Sequence, residues 1–203
     1  MRKAIVSSHE HGFLDLVIAN AGICTSTDGI SEAKQVIETN LIGTLNTIVP
    51  AIKLMLAVTG SPDYSPQIVF MSSLGGYCSS GSVFIAPYNA SKNAIRVLAE
   101  SLRVSFSGKS KIGFSVIAPG MTESRMVSQQ MEKGIKMSTG VWKIDHAVRY
   151  MSEGIQANKF QIDYPFFWVL VAKLYGCAPF WIKEILAPIT TMFDPYHACD
   201  LIY

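Results

Sequence analysis

The sequence predicts an α/β protein built on a doubly wound parallel sheet. Three observations predict it. Short apolar runs read as buried strands, long helical periodicities lie between them, and the strand ends carry Asn-Ala-Gly, Ser-Ser and Pro-Gly in turn. Strands buried on both faces read as unbroken apolar runs, so this pattern belongs to a sheet covered by helices on both sides.

The elements follow in order. Leu14–Ile18 (LDLVI) is a short apolar run that stops at Asn20-Ala21-Gly22, which reads as a buried strand and a turn. From Ser31 to about Val58, residues Ala33, Ile37, Leu41, Leu45, Ile48, Ile52 and Met55 recur at spacings of three and four, the apolar stripe of a helix. Gln67–Met71 (QIVFM) is a second buried strand, and Ser72 to Ala86, rich in Ser and Gly, is a long loop. Pro87 suits the first turn of a helix from about Tyr88 to Phe106, with Ile95, Leu98 and Leu102 as its core stripe. Ile112–Ala118 is a third buried strand, stopped by Pro119-Gly120. Met121 to Gly140 is a polar, Met-rich loop holding a short helix; Asp145–Ala157 is a helix and Phe160–Tyr164 a fourth strand. From Pro165 the chain is apolar and broken by Pro179 and Pro188. The chain therefore reads as a single unit, 1–203, with a loop at 121–140 and an apolar extension at 165–203.

Composition excludes several classes of function. A chain of 203 residues, 49% hydrophobic and 16% charged, is one domain with a sizeable core rather than a disordered segment. A net charge of +2 without a dense Lys/Arg run leaves nucleic-acid binding no electrostatic footprint. The cysteines at 24, 78, 177 and 199 form no C-x-x-C pair and have no His cluster nearby. They read as scattered thiols in a reducing, cytoplasmic setting, with no metal site. Met1-Arg2-Lys3 is followed by His9, Glu10 and His11 where a signal peptide needs an apolar run. No unbroken apolar stretch reaches the ~18 residues of a membrane span.

The chemistry centres on Tyr88-Asn89-Ala90-Ser91-Lys92. Residues four apart share a helical face, so a phenol and an ammonium meet. A free tyrosine has a pKa near ~10, and a neighbouring cation favours its phenolate. Such a pair is suited to give a proton to a carbonyl oxygen or take one from an alcohol. Ser73 ends a buried strand, where its hydroxyl is placed to bond a substrate oxygen; the plain alternative is a turn serine bonding the backbone. Asn40 lies inside an apolar helix, where Asn is a poor former and a buried amide needs partners, so it is expected to hold a backbone group or a water.

Taken together, these segments resemble the short-chain dehydrogenase/reductase family. Asn20-Ala21-Gly22, the Asn-Leu-Ile-Gly stretch from Asn40, Ser72-Ser73, Tyr88-x-x-x-Lys92 and Pro119-Gly120 occur in the family's order over about Leu14 to Met126. The resemblance implies a Rossmann-like fold, NAD or NADP as cofactor, and a small carbonyl or alcohol as substrate. It implies that Tyr88 is the catalytic acid/base and that Lys92 lowers its pKa and binds the nicotinamide ribose. Ser73 would polarise the carbonyl, and Asn40 would support Lys92 through a water-linked relay. Asn20, Ala21 and Gly22 would line the cofactor cleft, Pro119 and Gly120 the nicotinamide pocket, and Ser124 would touch the carboxamide. Residues 121–140 would be the substrate loop.

The sequence departs from the family at its amino end. Only thirteen residues precede Leu14, and no G-x-G-x-x-G-like stretch exists, although the strand-turn-helix that holds a pyrophosphate takes about 30 residues. The fold is therefore expected to lack its first three strands, with Met1–Gly12 as the helix before the fourth, Leu14–Ile18 as an open edge, and impaired cofactor binding. A catalytically weak interaction module is the alternative. Ser73 also lies fifteen residues before Tyr88, a longer interval than the family usually shows, which leaves Ser72 as a substitute.

The tail offers two readings. Phe166-Phe167-Trp168-Val169-Leu170-Val171-Ala172 is apolar all round and Phe180-Trp181 follow. Core or contact with a second subunit is the plainer reading, and it makes a homo-oligomer the expectation. The sharper one is peripheral membrane contact through 165–186 beside a lipophilic substrate pocket.

Overall fold

The structure, a computed structural model, describes residues 12–24, 29–58, 62–79, 85–132 and 140–191. The expected helix at Met1–Gly12 falls almost wholly outside them. Four parallel strands form one sheet in the order β1 (Leu16–Ala19), β2 (Gln67–Met71), β3 (Gly113–Pro119) and β4 (Gln161–Tyr164). Leu16 pairs with Gln67, Gln67 with Gly113, and Val116 with Gln161. All four strands end on one rim, so the Asn-Ala-Gly, Ser-Ser and Pro-Gly segments converge there.

One helical run, Ile30–Ala57, crosses from β1 toward β2. It contains α1 (Ala33–Ile37), a π turn (Glu38–Ile42) and α2 (Gly43–Ala57). By length and a mean hydropathy of 1.3 over its best window this helix meets the size and composition of a membrane span, as the core helix of a folded domain also can, although polar and charged residues interrupt its apolar run. Its stripe instead turns inward: Val36 is buried, and Ile48, Ala51 and Met55 pack with the sheet. Helix α3 (Ala86–Phe106) packs beside it through Ile95 and Ala99, both buried with Ile68, Phe70, Phe114 and Val116 of the sheet. Each such fully buried side chain contributes about 1.5–3 kcal/mol relative to leaving it in water. Phe106 and Phe114 meet edge-on at 5.2 Å, closing this core at its far end.

The other face of the sheet carries Val69, Ile117, Ile162 and Tyr164, covered by Ala147, Met151 and Ile155 of α5 (Ile144–Gln156). Gly154 lets this helix approach, because a methyl group there would lie 2.8 Å from Ile162. Over β1 no layer among the described residues covers the same face. Leu16 and Ile18 are each 44% exposed while Val17 and Ala19 are buried, the alternation of a strand covered on one side only. The short helix expected within 121–140 is α4 (Arg125–Glu132).

The tail folds as α6 (Phe166–Cys177) and α7 (Phe180–Thr191). Val169 and Ala172 alone are buried on α6. Phe166, Phe167, Leu170, Val171 and Leu174 form an exposed stripe, continued on α7 by Phe180, Trp181 and Ile185. Of the plainer reading, core or contact with a second subunit, the core part holds on α6 for Val169 and Ala172 alone; Trp168, Lys173, Tyr175 and Gly176 are half-buried and the stripe is exposed.

Candidate active site

Tyr88 lies in the first turn of α3, and Lys92 follows one turn later on the same face. The Lys92 ammonium lies 5.6 Å from the centre of the Tyr88 ring and donates to the Met71 carbonyl at 2.9 Å. The residue is 4% exposed, and among the described residues no carboxylate pairs with it. Burial holds its pKa down at about 8, opposed by the negative potential of the Cys24 thiol group.

Tyr88 behaves differently from the expectation that Lys92 depresses it. Burial pushes the phenol above its ordinary value; a hydrogen-bonding interaction with Ser73 pulls the other way, and Cys24 adds to the rise. Desolvation, a property of the folded neighbourhood, outweighs the i, i+4 spacing that the sequence displays.

The two serines separate cleanly. Ser72 is buried and its hydroxyl donates to the Lys92 carbonyl at 2.8 Å, which spends it on bracing α3. Ser73 caps a 3₁₀ turn, Leu74–Gly76, accepting from the Gly75 amide at 3.2 Å, and remains beside Tyr88. Ser73, and not its neighbour, is thus the hydroxyl left beside Tyr88. Gly75 has no Cβ for a reason, since one would collide with the Asn89 amide oxygen.

Asn40 is fully buried in the π turn that interrupts its helix, a feature frequent at functional sites. Its amide oxygen accepts from the Ile23 N–H at 2.7 Å, and its amide nitrogen donates to the Ile23 carbonyl and to Ser91 Oγ, both at 2.9 Å. Thr44 donates to its carbonyl at 2.6 Å. The Asn40 side chain therefore pins the segment after β1 with both of its amide donors, while its amide oxygen and its backbone carbonyl each keep a second lone pair. Ser91, which the sequence reading passed over, completes the brace by donating to the Tyr88 carbonyl at 2.7 Å.

The cleft residues divide by exposure. Asn20 and Ala21 are exposed at the end of β1, while Gly22 is half-buried. A methyl group on Gly22 would stand 3.0 Å from the Lys92 ammonium and 3.3 Å from the Asn40 amide oxygen, so a glycine here lets both groups approach. Gly120 is enclosed in the same way, its absent Cβ position 2.7 Å from Pro165 and 3.2 Å from Leu74. Its amide donates to the Tyr164 carbonyl at 2.6 Å, and Pro119 beside it closes β3. Ser124 accepts from the Val127 amide at 3.4 Å and so caps the start of α4.

An aromatic group near this rim escaped the sequence reading. Trp142 stacks on Tyr164 at 4.5 Å and on His146 at 4.1 Å, and Tyr150 meets Trp142 edge-on. Trp142 also pairs with Thr122: its amide donates to Met121 O at 3.0 Å and its carbonyl accepts from Glu123 at 2.9 Å. Both ends of the 121–140 loop are thereby tied together. An isolated Trp ahead of a helix was the only signal available.

A parallel α/β sheet with a phenol, an ammonium and a hydroxyl gathered at its carboxyl rim defines the nucleotide-cofactor class of α/β folds. The comparisons narrow the class. Residues 2–134 match the family model described as short chain dehydrogenase, and the chain belongs to that family. It is 29% identical over 161 residues to an uncharacterized oxidoreductase of Myxococcus xanthus, covering 77% of this chain and 58% of that protein. A 3-dehydrosphinganine reductase of Arabidopsis thaliana is 27% identical over 187 residues, covering 85% of this chain and 55% of the relative. A short chain dehydrogenase of Burkholderia cenocepacia, solved in complex with NADP, superposes with a TM-score of 0.70 at 15% identity, covering 91% and 76% of the two chains. The chain spans about half the length of the curated relatives it matches.

Proposed function

We propose that the chain is an NAD(P)-dependent oxidoreductase that interconverts a carbonyl and an alcohol, with Tyr88 as acid/base. The observation that carries this reading is the convergence of Tyr88, Ser73 and Lys92 in one buried corner of the rim. The nicotinamide end of a dinucleotide suits these residues. Lys92 has three donors, a buried ammonium and, among the described residues, one carbonyl partner, and so calls for further acceptors such as ribose hydroxyls. Asn20, Ala21 and Gly22 would line the ribose side, Pro119 and Gly120 the ring side, and Ser124 the mouth of the pocket. The described residues offer no glycine-rich strand-to-helix turn for the pyrophosphate, so the affinity of this chain alone should be low.

When bound, the cofactor supplies or accepts the hydride. The chain does the rest. Ser73 donates a hydrogen bond to the substrate oxygen, and Tyr88 delivers the proton to that same atom in reduction. A phenol held above its ordinary pKa carries that proton throughout the neutral range and so has it to deliver. Asn40 and Ser91 keep the Tyr88 turn and the segment after β1 in register.

A hydrophobic substrate is supported by the bare apolar stripe of α6 and α7 beside the rim and by the name of the Arabidopsis thaliana relative. We extend the proposal to a cytoplasmic protein whose 165–186 segment rests on a lipid surface, and which self-associates through exposed helix faces such as that of Val97 and Val104. Flotation with liposomes should lift the protein, and Phe167→Ser with Trp181→Ser should release it; no flotation of the parent protein would end the lipid reading. The rival reading is a non-catalytic interaction module, favoured by the open face of β1. The two separate on one titration: NADH or NADPH added to millimolar levels while tryptophan fluorescence is followed. A saturable change supports the enzyme, and its absence supports the module. Tyr88→Phe should then abolish turnover with binding retained; unchanged turnover would refute the assignment.

A further inference from the structure

Three side chains outside the proton-transfer group converge on Tyr77, at the far end of the turn that begins with Ser73. The Tyr77 hydroxyl donates to Asp163 Oδ2 at 2.8 Å, and the Lys173 ammonium reaches the same oxygen at 2.8 Å. The Tyr77 ring lies between two cations, Lys173 at 4.8 Å and the Arg96 guanidinium at 5.1 Å from its centre. The Asp163 side chain is 7% exposed, and its other oxygen is buried without a partner. A buried carboxylate persists only where its partners are fixed, so this contact strongly constrains Tyr77.

The constraint travels a short way. Ser73 to Tyr77 is one closed turn: Gly76 N donates to Ser73 O at 2.9 Å and Tyr77 N to Leu74 O at 3.0 Å. The Gly76 carbonyl takes Asn93 Nδ2 at 2.8 Å and Arg96 Nε at 3.4 Å, both from α3. On the outer side Gly176 of α6 packs so closely on the Tyr77 carbonyl that a Cβ there would collide with it. The start of the turn is fixed independently by Ser72, whose amide donates to Ile117 O at 2.8 Å. With the start anchored to the sheet and the end strapped to β4 and α6, the orientation of Ser73 depends on both.

We propose that Tyr77, Asp163 and Lys173 form a strap that positions Ser73 against Tyr88, making them positioning residues for the proton transfer. The phenol of the strap keeps its proton while the site titrates. Burial and the Asp163 carboxylate push the Tyr77 phenol far above its ordinary value, so it stays a donor. The inference rests on the oxidoreductase reading only for its effect on turnover; the geometry it asserts is independent of turnover.

The test uses the full 203-residue chain labelled with tyrosine carrying ¹³C at Cζ, the Tyr88 signal being assigned with Tyr88→Phe. Ser73→Ala should raise the pH at which Tyr88 ionises, because the Ser73 contact lowers it. Tyr77→Phe should raise it in the same direction, and the double variant should go no further than Ser73→Ala alone. Lys173→Met, at a partly exposed position, keeps the hydroxyl contact and should give a smaller shift, which retains the test if Tyr77→Phe folds poorly. In turnover, Tyr77→Phe should lower kcat roughly tenfold with KM for the cofactor unchanged, and the loss should vanish in the Ser73→Ala background. A Tyr88 titration unmoved by Tyr77→Phe and by Lys173→Met, with a lowered melting temperature as their sole effect, would overturn the strap. Coupled titrations in a chain without turnover would uphold the strap and overturn the enzyme reading.

Discussion

Replacing Lys92 by Met should stabilise the ligand-free protein at neutral pH while destroying its cofactor site. The ammonium is buried, and its pKa falls from the ordinary 10.5 to about 8. At about 1.4 kcal/mol per tenfold change, that fall corresponds to about 3 kcal/mol of instability wherever both folded and unfolded chains carry the proton, which is below pH 8. The hydrogen bond to the Met71 carbonyl offsets about 1–2 kcal/mol of it. Met follows the lysine stem in shape and carries no charge to desolvate, so a net gain of about 1–2 kcal/mol is expected at pH 7. The sign of the pH dependence follows from the depressed value. Between about 8 and 10.5 the unfolded chain binds the extra proton and the folded chain does not, so the parent protein gains stability as pH rises through that window. The variant has no such gain, so its advantage should pass through zero inside that window and reverse, by about 1–2 kcal/mol, near pH 10.5. Urea unfolding of both proteins at pH 7, 8.5 and 10, followed by tryptophan fluorescence, measures this; the difference between them cancels the other titrating groups. A difference that does not change with pH, or a variant less stable at pH 7, would refute the reasoning.

Three further outcomes follow from the geometry. Gly22→Ala would place a methyl group 3.0 Å from the Lys92 ammonium, so NADPH affinity should fall about tenfold by fluorescence titration, with little change in melting temperature because the flexible tip yields first. Asn40→Ala would strip the buried Ile23 N–H and carbonyl and Ser91 of their partner, at a cost of about 2–4 kcal/mol in urea unfolding and with turnover reduced through the loosened segment after β1. Gly154→Ala improves helix propensity by about 1 kcal/mol yet drives a methyl group into Ile162 at 2.8 Å. A net loss of about 1–2 kcal/mol, or a few degrees in thermal melting, is expected.

Much of the fold was legible because its information is local. Gln67–Met71 is a strand in sequence and in structure, and the helices at Ile30–Ala57 and Ala86–Phe106 lie where the three-four periodicity puts them. The rim segments were legible for the same reason, since each follows a strand directly. What escaped depends on distance along the chain. The partners of Asn40, Ile23 and Ser91, stand 17 and 51 residues away, and no periodicity marks such a contact. The choice of Ser73 over Ser72 rests on which hydroxyl the Lys92 carbonyl captures, and Trp142 joins the site by stacking on a strand more than twenty residues later. The tail misled for the opposite reason: its local apolarity is that of a core helix, and only the packing shows that Val169 and Ala172 are the buried face.

The rim thus concentrates the groups that a stable fold would avoid. A cation with one carbonyl partner, a buried phenol held protonated and a buried carboxylate with one idle oxygen lie within a few turns of each other. Each costs stability, and each is held by neighbours contributed by a different element: Met71 for Lys92, Ser73 for Tyr88, Tyr77 and Lys173 for Asp163. Structural needs alone would not retain such an arrangement, because apolar residues of similar size would pack the same space at lower cost. The physical case for function at this rim therefore stands on its energetic expense as much as on the family pattern. It applies to the proton-transfer side of the cleft, where the strained groups are, and not to the open face of β1, where Leu16 and Ile18 meet no opposing layer among the described residues.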